Sequence, residues 1–484
     1  MTAKPRGLVV VSNRIPITFS NESGELKEHA SSGGLVSALE PLLDSHGGTW
    51  VGSPGAEDTS QVRHLLKEAT KGKNYTFAPL FLNEEENHNF YRGFSNEVVW
   101  PLFHDLQSRC HFDPQYWLFY LQVNRKFVEK VEQASGEDDL IWIHDYQLMQ
   151  VGRGLRERRP KARLAFFLHI PFPPPDIFGK LPWREQILEG LLAHDLIGVQ
   201  TKRDERNLIA CLRSFVPSVK INAKGDWHIV VSERLQTHIQ FFPISINFQE
   251  FAEAAVSPSV VRRAREIKKQ PENLQIALGV DRLDYTKGIP ERLKAFNSFL
   301  RDYPEFRRRV ELVQIVIPSR EGIPGYQTLK SEVEQLVARV NGEFSEPGWI
   351  PINYIHRSIP RDELVALYRA ADVALITPLK DGMNLVAKEY CASRVESDGV
   401  LILSEFAGAA PELRNGAILV HPYDESGIAS ALKQAFEMPQ DERRKRMMRM
   451  RSQVQRAGIL QWRDRFFQAL EKTAAADQAV GPGG

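Results

Sequence analysis

The sequence has few cysteines, almost no net charge and no long hydrophobic run. Its 3 cysteines are odd in number and widely spaced, which argues against a disulfide framework or a zinc cluster and predicts reduced thiols. The 62 basic residues nearly balance the 61 acidic ones, so we expect no nucleic-acid partner and no membrane partner. No apolar run approaches the roughly 18 residues of a membrane span, and the segment before the first apolar run is too short for a signal peptide. These absences predict a cytoplasmic protein.

What the chain does contain is a globular composition. It has 42% apolar and 25% charged residues, and its length of 484 residues predicts two domains. Short apolar runs recur between helix-like stretches. They are Leu8–Val11, Leu140–Ile143, Leu164–Leu168, Leu196–Val199 and Ile239–Phe242 in the first half, and Ile276–Val280, Val310–Ile317, Val373–Ile376, Val400–Leu403 and Ile418–Val420 in the second. Because the runs are continuous rather than alternating, they indicate strands buried on both faces, and therefore an α/β fold with parallel sheets.

A domain boundary is expected near Pro243, where an apolar block ends before a polar, helix-prone stretch begins. The amino-terminal domain is therefore predicted at 1–243 and the carboxy-terminal domain at 244–455. Residues 456–475 are expected to form a helix that packs back on the amino-terminal domain, and 476–484 a disordered tail.

Polar residues follow several of the predicted strands. They are Arg14, Asp145, His169, Asp281 with Arg282, and Asp381. Ligands of open parallel sheets bind beyond the carboxyl ends of the strands, so these residues are candidates for a site. Two such edges facing each other would form an interdomain cleft.

The first candidate segment joins a predicted strand to a predicted helix between Arg282 and Pro290. Arg282 and Lys287 are two cations in this loop, and together with the helix amino terminus they suit a diphosphate. Two surface cations in ordinary salt bridges explain the same residues equally well, because no glycine fingerprint accompanies them.

The second candidate segment runs from Thr377 to Glu389. Its Pro and Gly residues predict a loop that presents Asp381 and backbone N–H groups at the start of a helix that carries Glu389. The alternative makes Asp381 a helix cap and Glu389 a solvated charge, and spacing alone slightly favours that alternative.

Further residues are ambiguous on their own. The prolines after His169 hold it at the end of a strand, and Asp145 has a similar position, but a lone histidine is more often structural than functional. The Ser32-Gly33-Gly34 turn could bring backbone N–H groups close to an anion, although paired glycines usually mark only a turn. Physical reasoning gives no reason to select Tyr91, Trp100 or Arg320.

Taken together, these segments resemble the trehalose-6-phosphate synthase family of retaining glycosyltransferases over nearly the whole chain. The matching segments are Val11–Arg14, Ser32–Leu35, Trp142–Tyr146, Leu168–Pro173, Arg282–Gly288 and Asp381–Glu389. The resemblance implies two facing Rossmann-like domains of the glycosyltransferase B type, with the active site in the cleft between them. One departure is Gln147, where many members have His.

The resemblance also implies roles for individual residues. On the donor side they are Arg282 and Lys287 at the diphosphate, Glu389 at the ribose, Asp381 with the N–H groups of Met383, Asn384 and Leu385 at the glucose and phosphate, His169 at the sugar hydroxyls and the Gly34 amide near the phosphate. On the acceptor side they are Arg14, Tyr91, Trp100 and Arg320 around the acceptor, with Asp145 orienting its hydroxyl. The residues expected to carry the chemistry are Asp145, His169, Arg282, Lys287 and Asp381.

The implied reaction moves glucose from a nucleoside diphosphate glucose, UDP-glucose foremost, to glucose 6-phosphate with retention and without an enzymic nucleophile. No cofactor and no metal are expected, and a separate trehalose-phosphate phosphatase would act on the product. A glucosylglycerol-phosphate synthase and a silent sugar-phosphate sensor are the alternatives. The sequence leaves open the donor base and the oligomeric state, with a homo-oligomer among the options.

Overall fold

The computed structural model describes residues 7–22, 25–30, 34–225, 227–232, 235–268, 274–319 and 324–479. The described residues divide into two units. The first unit holds the chain up to Pro243 together with the segment from Trp462 onward, and the second unit is Ile244–Gln461. The first break falls where the sequence places it, whereas the second lies beyond the expected limit at residue 455.

The first unit is built on a mixed β-sheet. Its strands are β1 (Leu8–Arg14), β2 (Ile17–Glu22), β3 (Glu25–Ala30), β4 (Gly48–Ser53), β5 (Tyr75–Pro79), β6 (Leu140–His144), β7 (Arg163–Phe167), β8 (Leu196–Val199), β9 (Lys220–Lys224), β10 (Trp227–Val231) and β11 (Gln236–Phe241). The sheet order is β5-β4-β1-β6-β7-β8-β11-β10-β9, with β2 and β3 apart as an antiparallel pair. Neighbouring strands pair in parallel from β5, at one edge of the sheet, as far as β11. Beyond β11, the pairs β11–β10 and β10–β9 at the other edge are antiparallel. The sequence analysis predicted only parallel strands and selected neither β9, which is polar, nor β10, whose apolar run is Ile229–Val231.

Helices connect these strands. They are α1 (Gly34–His46), α2 (Ser60–Ala69), α3 (Glu84–Glu86), α4 (Trp100–Phe103), α5 (Pro114–Ala134), α6 (Val151–Arg158), α7 (Pro175–Phe178), α8 (Arg184–Leu191) and α9 (Lys202–Phe215), with a π-helix at Asn87–Val99 and 3₁₀ turns at Gln107–Arg109 and Tyr146–Leu148. The central strand β1 is buried from Leu8 to Asn13, as expected for a strand covered on both faces.

The second unit is built on a parallel sheet. Its strands are β12 (Gln275–Arg282), β13 (Val310–Ile317), β14 (Ile352–Ile355), β15 (Val373–Ile376), β16 (Val400–Ser404) and β17 (Ile418–Val420), in the order β14-β13-β12-β15-β16-β17. Its helices are α10 (Phe248–Val256), α11 (Pro258–Lys268), α12 (Ile289–Asp302), α13 (Pro324–Phe344), α14 (Arg361–Ala370), α15 (Leu385–Ser393), α16 (Ala410–Leu413), α17 (Glu425–Glu437) and α18 (Gln440–Arg456), with 3₁₀ turns at Tyr285–Lys287 and Pro304–Phe306. The apolar runs predicted as strands in this half all lie in this sheet.

The two sheets share one strand succession. When the strands of each sheet are counted in chain order, the run β5-β4-β1-β6-β7-β8 of the first sheet reads 3-2-1-4-5-6. The sheet of the second unit, β14-β13-β12-β15-β16-β17, reads the same. This is the order of doubly wound nucleotide-binding folds, in which ligands bind where the winding reverses. The reversal lies between β1 and β6 in the first unit and between β12 and β15 in the second.

The carboxy-terminal helix α19 (Ile459–Ala479) packs on the sheet of the first unit. Its Trp462 and Phe466 rings lie 5.4 and 4.5 Å from the ring of Trp142, and the Trp462 indole N–H donates to the Phe242 carbonyl at 3.2 Å. The helix begins three residues later than the sequence suggests and continues to Ala479, so residues 476–479 are helical and not the start of a disordered tail. Residues 480–484 lie outside the described residues.

Candidate active site

In the second unit, two segments of the candidate site meet at the reversal point of the sheet. Lys287 ends the 3₁₀ turn after β12, and its Nζ lies 2.6 Å from Oδ2 of Asp381, with both side chains only 13% exposed. The Asn384 side-chain amide donates to the same Oδ2 at 3.1 Å. The Leu379 N–H joins the segments by donating to the Thr286 carbonyl at 2.8 Å. Two motifs almost a hundred residues apart thus form one charged cluster.

The loop that carries Lys287 is fixed from within. Oδ1 of Asp284 accepts hydrogen bonds from the N–H of Thr286 at 3.0 Å and from its hydroxyl at 2.9 Å. Gly288 follows with φ of +64°, and a Cβ there would lie 2.4 Å from the Thr377 carbonyl oxygen. Only glycine allows this conformation and this approach, so the sequence holds Lys287 close to the second segment.

Arg292, a buried arginine that sequence reasoning missed, is hydrogen-bonded to both loops. Arg292 is fully buried in α12 and pairs with Asp281. Its guanidinium also donates to Gln314 Oε1 at 3.0 Å, to Thr377 Oγ1 at 3.2 Å and to the Lys287 carbonyl at 3.3 Å. The available signal was a charged residue among the apolar positions of the core-facing side of this helix, because an arginine there needs buried partners.

The segment after β15 places Asn384, and not Asp381, as the cap of α15. Asn384 has φ of +74°, and its side-chain oxygen accepts from the Ala387 N–H at 3.2 Å. The alternative that made Asp381 a helix cap therefore does not describe this helix. Met383 is buried, and Leu385, the first residue of α15, is half-buried.

Glu389 is not a solvated helical charge either. It is half-buried, and its Oε2 accepts a hydrogen bond from the Tyr368 hydroxyl at 2.8 Å. Burial raises the pKa of Glu389, and burial beside this carboxylate also raises the pKa of the Tyr368 hydroxyl. Arg282, at the end of β12, is exposed. Arg282, Lys287 and the hydrogen-bonded carboxylate of Glu389 are therefore the candidate ligands that this unit offers.

In the first unit, Arg14 ends β1 beside a bulge. The strand pairs Val11 with Val51 but Arg14 with Ser53, so it contains one extra residue relative to β4. The Arg14 guanidinium carbon lies 5.7 Å from the centroid of the Tyr91 ring. Burial lowers the pKa of Arg14, while interaction with Tyr91 opposes that change.

Tyr91 lies in the π-helix Asn87–Val99, and Trp100 follows directly at the start of α4. Asn96 connects this region to the end of β6: its side-chain N–H₂ donates to the Tyr91 carbonyl at 2.6 Å, and its oxygen accepts from the Tyr146 hydroxyl at 3.0 Å. Trp100 is 5% exposed, and its ring lies 5.7 Å from that of Tyr146. π-helices are rare and are frequent at functional sites.

Asp145 and His169 are in contact. Asp145 has φ of +74°, which is uncommon for a residue with a side chain, and its Oδ1 accepts from the His169 backbone N–H at 3.1 Å. His169 Nε2 lies 3.1 Å from Nδ1 of His144. Burial beside the rings of His144 and Phe167 lowers the pKa of His169 to about 3 and keeps its imidazole neutral near pH 7.

Of the remaining candidates, Gly34 begins α1. Ser32, Gly33 and Arg320 lie outside the described residues. Gln147 is buried, and its carbonyl accepts from the Asn124 side chain at 3.0 Å.

Comparison with known proteins identifies the family. The model of glycosyltransferase family 20 matches residues 6–472. This chain belongs to glycosyltransferase family 20.

Its relatives within the family cover it almost completely. A trehalose-6-phosphate synthase of Mycobacterium leprae is 40% identical over 475 residues, which are 97% of this chain and 95% of that protein. A UDP-forming α,α-trehalose-phosphate synthase of Burkholderia xenovorans, solved in complex with glucose-6-phosphate, is 34% identical with a TM-score of 0.87 and covers 96% of this chain and 100% of that one. An E. coli structure bound with UDP-2-fluoro glucose is 35% identical with a TM-score of 0.85, covering 96% of this chain and 98% of that one.

Two features are absent from the described part of this glycosyltransferase. There, His, Cys, Asp and Glu side chains form no group of three or more that could hold a metal ion. Within the same residues, no helix combines the length and apolar character needed to cross a membrane.

Proposed function

We propose that this glycosyltransferase transfers glucose from UDP-glucose to glucose 6-phosphate and releases α,α-trehalose 6-phosphate and UDP. The observation that carries the proposal is the ion pair between Lys287 and Asp381 at the reversal point of the second sheet. Lys287 lies in the loop that begins at exposed Arg282. Nearly full-length relatives named trehalose-6-phosphate synthase support it, as does the binding of a UDP-glucose analogue and of glucose 6-phosphate by solved neighbours.

In this proposal the second unit binds the donor. Arg282 and Lys287 neutralise the diphosphate, the position of Glu389 suits the ribose hydroxyls, and Asp381 accepts from hydroxyls of the glucose. The N–H groups of Met383, Asn384 and Leu385 lie around the start of α15, where an anion is favoured.

The first unit binds the acceptor and the remaining groups of the donor. Arg14 and Tyr91 hold the 6-phosphate, and Trp100 contacts the acceptor sugar. Arg320, which the resemblance also assigns to the 6-phosphate, belongs to the chain segment of the second unit. Asp145 orients the acceptor hydroxyl. His169 contacts donor hydroxyls, and the Gly34 amide lies near the donor phosphate.

The chemistry follows from where charge develops. As the bond between the sugar carbon and the phosphate oxygen breaks, the diphosphate gains negative charge, and the two cations stabilise it. The acceptor oxygen bonds to the same face of the sugar, and its proton passes to the departing phosphate oxygen. Each candidate carboxylate already accepts a hydrogen bond from the protein. Asp381 accepts from Lys287, Glu389 from the Tyr368 hydroxyl and Asp145 from the His169 backbone N–H. Such held carboxylates suit binding better than nucleophilic attack.

Two further expectations accompany the proposal. We expect turnover without an added metal or cofactor, so activity should persist in a chelator and should not rise with Mg²⁺. We also expect a separate phosphatase to act on trehalose 6-phosphate when free trehalose is formed.

The test combines donors and acceptors. Purified protein is incubated with UDP-, ADP- or GDP-glucose and with glucose 6-phosphate or glycerol 3-phosphate, and nucleoside diphosphate release and the product NMR spectrum are followed. Release of UDP with an α,α-linked disaccharide phosphate is the expected result. Turnover with glycerol 3-phosphate but not with glucose 6-phosphate would show that glycerol 3-phosphate is the acceptor. No turnover with any pair would favour a sugar-phosphate sensor.

A mass measurement tests the mechanism in the same reaction. The protein is quenched during turnover and its intact mass is determined. We expect no added hexose, because no covalent intermediate forms; a glucosyl group found on Asp145, Asp381 or Glu389 would contradict front-face attack.

A further inference from the structure

The backbone around Arg14 is unusually well fixed. The Ser12 hydroxyl donates to the Arg14 carbonyl at 2.7 Å and accepts from the Trp50 indole N–H at 2.8 Å. A Cβ on Gly52 would lie 2.7 Å from the Ser12 carbonyl oxygen, so β4 approaches the bulge of β1 closely. Because a bulge redirects the side chain next to it, this arrangement determines where the Arg14 side chain leaves the sheet.

The end of that side chain contacts a second glycine. A Cβ on Gly55 would lie 1.7 Å from Nη1 of Arg14 and 2.8 Å from its Cζ. Gly55 itself has φ of +73°, and its N–H donates to the Ser53 hydroxyl at 3.2 Å. Arg14 and Gly55 also line one cavity of about 590 Å³ in the first unit. The guanidinium therefore occupies space that exists because residue 55 has no side chain.

We propose that Gly55 is a specificity-determining residue for the phosphorylated acceptor, because its missing side chain lets the Arg14 guanidinium lie where the phosphate binds. This inference rests on the proposed function, since it takes Arg14 as a phosphate ligand. Gly55 is a positioning residue that acts through Arg14.

The physical consequence of a side chain at residue 55 falls on the guanidinium. The clash involves the far end of a flexible arginine and not the backbone, so the guanidinium moves while the fold is kept. A displaced guanidinium no longer presents two parallel N–H donors to the phosphate, and charge-assisted pairing of this kind depends on geometry. Binding of a sugar without a phosphate does not use that contact.

The experiment compares two alanine variants. Gly55→Ala introduces both the clash and the cost of a positive φ. Gly72→Ala is the matched control, because Gly72 is also exposed and has φ of +81°, but a Cβ there would meet nothing within 4 Å. KM for glucose 6-phosphate, KM for UDP-glucose and kcat are measured for both, together with the ratio of kcat/KM for glucose 6-phosphate over glucose.

Gly55→Ala should raise KM for glucose 6-phosphate by about tenfold or more and lower the phosphate preference by a similar factor, the size expected for loss of one charge-assisted hydrogen bond. KM for UDP-glucose and the constants of Gly72→Ala should stay within about twofold of the wild type. Equal constants in the two variants, or an equal rise in KM for both substrates, would overturn the inference.

A second variant covers the case in which Gly55→Ala does not fold. Gly55→Asn also carries a Cβ, but asparagine adopts positive φ more readily than alanine, so it should fold and show the same acceptor-specific loss. An unchanged KM for glucose 6-phosphate in this variant would likewise overturn the inference. Failure of the proposed function is separable, because then the wild type itself would not use glucose 6-phosphate.

Discussion

The two units carry the same strand order but build their candidate residues differently. In the second unit the residues lie in short motifs that touch, as Lys287, Asp381 and Asn384 do within hydrogen-bonding distance. In the first unit Arg14 and Tyr91 come from a bulged strand and a π-helix far apart in sequence. The difference shows that two loops bring the candidate residues of the second unit together, whereas those of the first unit depend on irregular backbone, namely the bulge of β1 and the π-helix.

The largest expected effect concerns the buried support of the second unit. Arg292→Met leaves Asp281 as an uncompensated buried charge and should lower the free energy of unfolding by about 3–5 kcal/mol. Urea unfolding measures it. Arg308→Met is the control, because Arg308 is 63% exposed in its pair with Glu346 and should change stability by no more than about 0.5 kcal/mol. Similar losses in both variants would show that Arg292 stabilises the fold no more than an exposed arginine does.

Next comes the cation of the donor loop. Lys287→Met should lower kcat by about 10²–10³-fold, because it removes a charge that the proposed function places at the leaving diphosphate. KM for glucose 6-phosphate should change little. Initial rates at varied donor and acceptor concentrations measure both. Lys294→Met, which changes an exposed lysine of α12, should leave the rate unchanged; a full-rate Lys287→Met enzyme would refute the donor role.

The corresponding change in the first unit should be smaller and should affect the other substrate. Arg14→Met should raise KM for glucose 6-phosphate by roughly 10- to 150-fold, the equivalent of losing about 1.5–3 kcal/mol of charge-assisted hydrogen bonding. Arg320→Ala, although it changes a residue in the chain segment of the second unit, should act in the same direction. Steady-state kinetics with each substrate varied separately measures the effect, and exposed Arg63 provides a neutral control through Arg63→Met. A rise confined to KM for UDP-glucose would remove the distinction between the units.

The smallest effect concerns the pH dependence of stability in the first unit. The folded pKa of His169 is about 3, below its unfolded value near 6.5, so its contribution to stability is complete above pH 6.5 and is lost as the pH falls toward 3. The His144 ring lies 5.4 Å from this imidazole, and Asp145 accepts from the His169 backbone N–H. His169→Gln should therefore reduce the stability lost between pH 7 and pH 5 by up to about 2 kcal/mol, as urea unfolding at both pH values would show.

The control for this measurement is His64→Gln, since His64 is exposed in α2. Its pH dependence should match that of the wild type. If His169→Gln loses as much stability as the wild type between the two pH values, the buried neutral imidazole has been assigned wrongly.

Much of the fold could be predicted because a buried parallel strand leaves a continuous apolar run. The runs at Val310–Ile317 and Val400–Leu403 lie in strands β13 and β16. Edge strands such as β9, with the sequence Lys-Ile-Asn-Ala-Lys, escaped prediction because they are polar and only partly buried. The antiparallel pair of β2 and β3 escaped because its sequence contains no continuous apolar run.

The candidate site divides in the same way. The sequence marked Asp381 as a residue that follows a predicted strand, where ligands of parallel sheets bind, and Lys287 as a cation in a loop between a strand and a helix. It could not show that the two pair at 2.6 Å, nor that Arg292 lies beneath them, because both facts depend on strands that meet only in the folded sheet. Tyr91 and Trp100 were selected by family resemblance alone.

The sequence by itself determined the α/β class, the strand runs and the family, because burial and motif order are written along the chain. Only the tertiary structure decided that β1 bulges at Arg14, that Asp145 holds a positive φ and that the Arg14 guanidinium needs a glycine at position 55. These features arise where one backbone packs against another, and the physical reason is that close contact between distant segments leaves no local pattern.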